Sequence, residues 1–502
     1  MNVRKLNNET LNDLAAQMSV PRYDRSVCGS AIVHIGVGGF HRAHQAVYLD
    51  RLWQKYGPSE WGICGVGLMP GDRQMKEALV PQDLLYTVIE RSAEQIEAYI
   101  VGSMVEYLFA PDNLDAVLDQ MAGSQTKIIS LTITEGGYFY SSATDEFLLS
   151  DQRIQNDLAN PETPSTAIGC IVEGLKRRRD RKGGKVTILS CDNLPENGTV
   201  SRKAIEGYAQ ARDANLYRWI QENVSFPNSM VDRITPATTD ADRQELREHF
   251  TLDDAWPVVT EPFIQWVIED NFAAGRPNLE EVGVQFVPDV MPYELMKMQL
   301  LNASHSLMGY LGYLAGFEYI HEVASDREFR RYILRYMDEE VTPILAPVPG
   351  INLEEYKQTL LERFTNPKIK DQLTRICFDG SSKIPKFVLP VILKQLDAGG
   401  SFSCAALCIA AWFRYLTGKD EKGQGFEIDD PMAESLQKAA IEGGDSPEKL
   451  LAFEDLFAPR LRNSDAFKDE VKKWLESLYQ VGGRATLKKS NEMSCEDSIS
   501  LG

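Results

Sequence analysis

The chain is 502 residues long, 43% hydrophobic and 25% charged, with a formal net charge of −20 and a pI near 4.9. That length provides for two or more domains with full cores, and the composition is that of a globular protein, which excludes a fibre or a disordered chain. The acidity argues against a nucleic-acid-binding surface, which needs a basic footprint, and against docking on an anionic membrane. An anionic ligand would have to be held by local devices, such as helix N-termini and a few arginines.

Met1 to Asn8 lacks the apolar core of a signal peptide, and the longest markedly apolar run, Ala405 to Phe413, is far short of the ~20 residues that span a bilayer. A cytoplasmic protein with no membrane partner is expected. Of the eight cysteines (28, 64, 170, 191, 377, 404, 408 and 495), only Cys404 and Cys408 lie close together, at i,i+4 on an apolar helix. With no zinc-site spacing elsewhere, they read as reduced core residues, and no metal is expected.

In chain order, residues 1–30 form a polar lead-in. Ala31 to Ile35 is a short apolar strand that runs into Gly36-Val37-Gly38-Gly39-Phe40-His41, and a helix follows through Ala46, Tyr48, Leu49 and Leu52. Strand, tight glycine turn and helix is the context of a dinucleotide fingerprint: Gly36 allows the turn and Gly38 lets the backbone approach a pyrophosphate. The third position of G-x-G-x-x-G is His41, and a tight turn without a ligand is the plain alternative. A second buried strand, Trp61 to Leu68, ends near Asp72. An acid after this strand accepts hydrogen bonds from the adenosine ribose and favours NAD over NADP. Asp72 is the candidate for that acid, although Arg73 beside it could tolerate a 2′-phosphate and a solvated turn acid is the bland reading.

Leu85 to Glu90 and Ala98 to Leu108 are β-rich, a hairpin or further strands. Lys127 to Thr134 is a buried strand that closes on Glu135-Gly136-Gly137-Tyr138. A helix near residues 164–180 precedes the strand Lys185 to Ser190, which ends on Cys191-Asp192-Asn193. Alternating strands and helices imply a parallel sheet, and ligands of such sheets bind beyond the carboxyl ends of the strands. Gly36, Val37, Gly38, Gly39 and Phe40, with Asp72, Glu135 and Gly136, are therefore the candidate cofactor residues. Asn228 to Asp240 reads as an irregular polar loop carrying Asp232 and Arg233, and Trp256 to Phe263 and Gly283 to Phe286 read as shorter strands. From about residue 290 helical patterns dominate, broken near Pro347–Gly350 and Asp379–Ser382, and the last dozen residues are polar and expected to be mobile. We expect an α/β fold: a Rossmann-type dinucleotide-binding domain with extensions over residues 1–288, followed by a largely α-helical second domain over residues 289–502.

The stretch Lys297 to His305 carries a lysine, an amide and an imidazole within the apolar, helix-favouring segment Tyr293 to Leu314. At about 100° per residue, Lys297, His305 and Asn302 project at roughly 0°, 80° and 140°, so that one side of a helix presents all three. A buried lysine has its pKa lowered and can serve as a general base near neutrality. Alternatively, Lys297 snorkels from a core helix and His305 is a hydrogen-bonded core histidine. If the glycine turn holds NAD, the reaction is hydride transfer at a carbonyl or alcohol carbon. No zinc ligand set is evident, and no Tyr-x-x-x-Lys pair is placed as in short-chain dehydrogenases. What remains is a lysine acid/base, with Asn302 and Asn193 as amides that stabilise the alkoxide.

Six stretches stand in one order: Ile35 to His44, Ser130 to Tyr138, Ser190 to Pro195, Asp232 to Pro236, Lys297-x4-Asn302-x2-His305, and Ser381 to Lys386. Together they resemble the polyol-specific long-chain dehydrogenase/reductase family over roughly residues 30–480, and His41 in the fingerprint is normal for that family. The resemblance implies a metal-independent, NAD-dependent interconversion of D-mannitol and D-fructose. Lys297 matches the family's general acid/base, Asn193 and Asn302 the amides that bind the reacting oxygen, and His305 a residue that contacts a substrate hydroxyl and orients the lysine. Asp232 and Arg375 match positions lining the polyol site, Asp72 the acid that selects NAD, and Glu294 a carboxylate on the proton route, for which position alone favours a solvated acid at a helix start. Arabinitol dehydrogenases and the fructuronate and tagaturonate reductases share the lysine motif. A uronate reductase needs an extra cation, for which Arg375 or Lys383 could serve. A non-catalytic dinucleotide-binding regulator is the reading from another class. A second domain long enough to cover the site of one chain suggests a monomer.

Overall fold

Short runs of aliphatic residues, buried on both faces as parallel strands must be, build the centre of the first unit. The computed structural model describes residues 3–141 and 144–500, with side chains as far as residue 493, and divides into two compact units, Met1–Met291 and Pro292–Gly502. In the first unit Ile32–Ile35 (β1), Ile63–Gly67 (β2), Met104–Phe109 (β3), Ile128–Leu131 (β4), Val186–Ser190 (β5) and Val224–Ser225 (β6) form one six-stranded sheet. The order is β3-β2-β1-β4-β5-β6, with every pairing parallel. This is the Rossmann arrangement, whose order reverses between β1 and β4, and ligands of such sheets bind in the crevice at that point. The expected α/β unit and its parallel sheet are present.

Two local readings are refined and two change. The helix after the glycine turn is not continuous: Gly39–Ala43 stops at His44 (φ −121°, ψ −90°) and the chain restarts as Gln45–Tyr56. His44 is held at the break by a hydrogen bond to the Gln265 carbonyl (2.9 Å) and by stacking on Phe40 (4.8 Å between ring centroids). The β-rich run after residue 85 divides between two sheets: Tyr86–Arg91 and Ile96–Val101 form an antiparallel hairpin, whereas Met104–Phe109 joins β2. Asn228 to Asp240 is not all loop. Ser229–Asp232 (β7) is a buried strand, antiparallel to Gln265–Glu269 (β8), which pairs in parallel with Gln285–Val287 (β9). Its polar start is satisfied from afar, because the Ser229 amide donates to Asn197 Oδ1 (2.9 Å) and its hydroxyl to the Ser190 carbonyl (2.6 Å). The polar lead-in also folds back, with Arg4–Lys5 pairing beside Leu252–Asp253 and Leu6 and Leu14 buried.

The second unit is built from helices around one core. Ser403–Tyr415 is apolar on all sides because it is buried on all sides, with Cys404 and Cys408 as free thiols within it. Ala303–Leu314 is equally enclosed. An added Cβ at Gly309 would lie 2.8 Å from Ile376, so this glycine lets the short helix Leu373–Cys377 approach closely. The break near residue 350 precedes the Asn352-capped helix Leu353–Phe364, and Asp379 (φ +55°) starts the helix Gly380–Phe387. The last dozen residues, expected to be mobile, continue the final helix to Ser500 after a kink at Gly482 (φ +80°), and residues 501 and 502 lie outside the described residues. Among the described residues no helix is long and apolar enough to cross a membrane.

Candidate active site

In the first unit the glycine turn and Glu135-Gly136 follow β1 and β4, the two strands between which the sheet order reverses. Gly36 follows β1 with φ +95°, and an added Cβ would lie 2.1 Å from the Thr132 carbonyl oxygen at the end of β4, so no side chain fits there. Its carbonyl accepts from the Thr132 hydroxyl (2.6 Å) and the Gly38 amide (2.8 Å), and His34 Nε2 lies 3.2 Å away. His34 is also hydrogen-bonded to Ser130 (2.9 Å), which donates to Gln45 (3.0 Å). The His41 ring stacks on His34 at 3.4 Å between centroids. Burial pushes the His34 pKa down to about 3, and burial together with the neighbouring His34 and Arg42 holds His41 well below the usual histidine value, so both rings are neutral at physiological pH. These neutral groups set the glycine turn from below. Above Gly38 the space is open, the nearest atom to an added Cβ being 3.9 Å away, and Val37, Gly39 and Phe40 continue that backbone.

Asp72 ends a short 3₁₀ turn after β2, where one carboxylate oxygen accepts from the Met69 amide (2.9 Å). Thr134, at φ +60°, leads into the exposed Glu135 and Gly136. Asp192 at the end of β5 clamps this turn, its carboxylate accepting from the amides of Ile133 and Thr134 (3.0 Å each) and from the Tyr138 hydroxyl (2.6 Å). Burial raises the Asp192 pKa and those three donors pull it back. Asn193 follows the clamp and is exposed. Asp232 is the buried last residue of β7. Arg233 beside it is a buried brace: it donates to the Glu261 carbonyl, pairs with Glu90 (3.1 Å) and bonds the carbonyl of Ala43, where the helix after the glycine turn ends. Sequence reasoning missed the brace and the clamp, because their partners lie far along the chain.

In the second unit Glu294 and Lys297 belong to the helix Met291–Lys297, which passes through a π-helical turn, Met298–Asn302, into Ala303–Leu314. The Ala303 amide donates to the Met298 carbonyl, an i→i+5 bond. The expectation of 100° per residue fails at this point. The wider turn closes a hydrogen bond between residues five apart and rotates less per residue, which narrows the angle of roughly 140° that a regular helix would put between Lys297 and Asn302. Glu294, Lys297 and Asn302 are 7%, 6% and 8% exposed. The Asn302 Nδ2 amide is buried with no hydrogen-bond partner. His305, half-buried, packs its ring on Phe364 (4.9 Å between centroids). Arg375 is mostly exposed and is forked onto Asp371, its Nε 2.6 Å from Oδ1. Lys383 donates to the Ile376 carbonyl (3.2 Å), and burial and Arg375 lower its pKa. Among the described residues no group of three or more His, Cys, Asp or Glu side chains is arranged to hold a metal ion.

The strand order and the open glycine turn, with a separate helical unit bearing a buried lysine, define a Rossmann-type dinucleotide-binding class of protein. Family comparison gives the particular group. The mannitol dehydrogenase Rossmann domain matches residues 30–281 and the mannitol dehydrogenase C-terminal domain residues 289–479. A mannitol 2-dehydrogenase of Aspergillus oryzae is 48% identical over 495 residues, covering 97% of this chain and 99% of the relative. The Pseudomonas fluorescens mannitol 2-dehydrogenase, solved as a ternary complex with NAD and D-mannitol, is 46% identical with a TM-score of 0.90 over 97% of this chain and 99% of that one. A D-sorbitol dehydrogenase in substrate-free form is 38% identical with a TM-score of 0.87 over 96% and 100%. This chain belongs to the mannitol dehydrogenase family.

Proposed function

We propose that the protein is an NAD-dependent mannitol 2-dehydrogenase that interconverts D-mannitol and D-fructose without a metal, with Lys297 as general acid/base. The observation that carries this reading is the π turn between Lys297 and Asn302: both side chains are buried, and the Asn302 amide N–H has no hydrogen-bond partner. Those are the two groups that alcohol oxidation needs, one to take a proton and one to stabilise the alkoxide.

The first unit fits the dinucleotide. Gly36 makes a turn that no side chain permits, and the open space over Gly38 leaves the backbone free for close approach. Gly36, Val37, Gly38, Gly39 and Phe40 would hold the pyrophosphate, Asp72 the adenosine ribose, and Glu135 and Gly136 the remainder. When bound, NAD supplies the hydride acceptor. Neutral Lys297 takes the C2 hydroxyl proton as hydride leaves C2, and returns it to the oxygen in the reverse direction. Asn193 and Asn302 donate to that oxygen. His305, braced by Phe364, orients the lysine and meets a neighbouring hydroxyl, Glu294 passes the proton onward, and Asp232 and Arg375 hold the rest of the polyol. The Arg375 charge is already matched by Asp371, which favours a neutral polyol over a hexuronate. We also take the enzyme to act as a cytoplasmic monomer, to be checked by light scattering on the purified chain. The functional test is NADH oxidation with fructose, xylulose, fructuronate and tagaturonate, with and without chelator. Fructose should be reduced fastest and chelator should have no effect; if no ketose oxidises NADH, or if chelator abolishes turnover, the reading fails.

A further inference from the structure

Two cations follow Asp72 on the surface, and both are taken up by one carboxylate. Arg73 Nη2 lies 2.8 Å from Asp112 Oδ1 and Lys76 Nζ 2.6 Å from Asp112 Oδ2. Both also lie over the buried ring of Phe109, the last residue of β3, at 4.9 and 5.7 Å from its centroid. The Ala110 amide ties the turn beyond β3 to the Gly67 carbonyl at the end of β2 (2.9 Å), and the Asp112 amide closes on the Phe109 carbonyl (3.0 Å). Asp112 therefore stands on a fixed turn beside the strand end that carries Asp72. Hydrogen bonds from Lys76 and Arg73 hold its carboxyl below the usual range. In this fold an arginine next to the ribose site is what accommodates the 2′-phosphate of NADP. This chain has that arginine, and a lysine one turn further on, yet both are held on the Asp112 carboxylate, which offsets part of their charge.

We infer that Asp112 is a cofactor-specificity residue: by clamping Arg73 and Lys76 over Phe109 it withholds two cations from a 2′-phosphate, so that NAD is used in preference to NADP. The inference rests on the reading above that Asp72 meets the adenosine ribose. It adds a second determinant of a different kind, since Asp72 acts on the ribose directly and Asp112 acts through its neighbours. The Asp112 side chain is 36% exposed, so replacing it opens no cavity.

The test compares mannitol oxidation with NAD and with NADP for the native enzyme, Asp112→Asn, Asp112→Glu, Asp112→Asn with Arg73→Ala, and Asp72→Ala. In Asp112→Asn, kcat/KM for NADP should rise about threefold to tenfold at low ionic strength and the gain should shrink near ~0.5 M salt, as screening of exposed charges requires. Values for NAD should stay within about twofold. Asp112→Glu should keep the native ratio, and adding Arg73→Ala should erase the gain. An unchanged NADP/NAD ratio in Asp112→Asn overturns the inference, as does a gain that survives Arg73→Ala or high salt. Asp72→Ala separates the two readings. If it shifts the ratio while Asp112→Asn does not, only the clamp is wrong; if it does not shift the ratio either, the placement of the ribose fails first.

Discussion

The two units prepare their halves of the chemistry in opposite ways. In the Rossmann unit most candidate groups lie on turns beyond the strands, with Glu135, Gly136 and Asn193 exposed and Asp232 buried, and polar networks hold those turns from beneath: His34 and Thr132 under the glycine turn, and Asp192 with Tyr138 under Glu135 and Asn193. In the helical unit Glu294, Lys297 and Asn302 are themselves buried, on a helix whose register sets their direction. A dinucleotide needs open backbone that its phosphates can reach, whereas proton transfer gains from a site where water is excluded and charge interactions are strong. A loop on rigid supports serves the first need and a core helix the second.

The largest expected effect tests the helical half. Lys297→Ala should lower turnover by about 10²–10⁴-fold while NADH binding, followed by fluorescence titration, changes little. A variant that stays active with an unaltered pH–rate profile would remove the lysine from its role. The comparison is sharpened by the two amides. Asn302→Ala and Asn193→Ala should each cost about 10²–10³ in kcat, with the larger loss at Asn302 because its donor is buried. Equal losses would mean that burial contributes nothing to the difference between the two halves.

Gly36→Ala tests the other half. Forcing a side chain into a left-handed position costs about 1–3 kcal/mol, which corresponds to roughly 5- to 150-fold in cofactor affinity if the strain is relieved by displacing the turn. The titration that leaves Lys297→Ala unchanged should therefore move here. The smallest effect on activity concerns the support of the helical unit. Buried Glu340 accepts from the amides of Cys404 and Ala405 at the start of Ser403–Tyr415, and burial pushes its pKa up to about 8. From its ordinary value near 4.5 up to 8, the folded protein retains a proton that the unfolded chain releases, so stability falls as pH rises through that window. The slope contributed is at most about 1.4 kcal/mol per pH unit. Urea midpoints measured from pH 5 to 8 should flatten in Glu340→Gln, and a slope that persists would place its origin elsewhere.

Much of this protein follows from local pattern. Aliphatic runs ending in glycine or polar clusters, alternating with helical segments, determine a parallel sheet, because a strand buried on both faces and a helix with one apolar stripe each carry a periodicity visible without neighbours. The glycine turn is legible for the same reason, as is the lysine motif, whose residue types carry their chemistry wherever they fall. Tertiary structure decided the rest. Ser229–Asp232 looked like a loop because its polar start finds its partners at Asn197 and Ser190. Asp192, Arg233 and Asp112 act on groups tens to hundreds of positions away. The π turn leaves no mark in composition, since it inserts one residue into a helical repeat that reads the same on either side. Packing of the surrounding core settles whether Asn302 faces Lys297, and no periodicity in the sequence could have shown it.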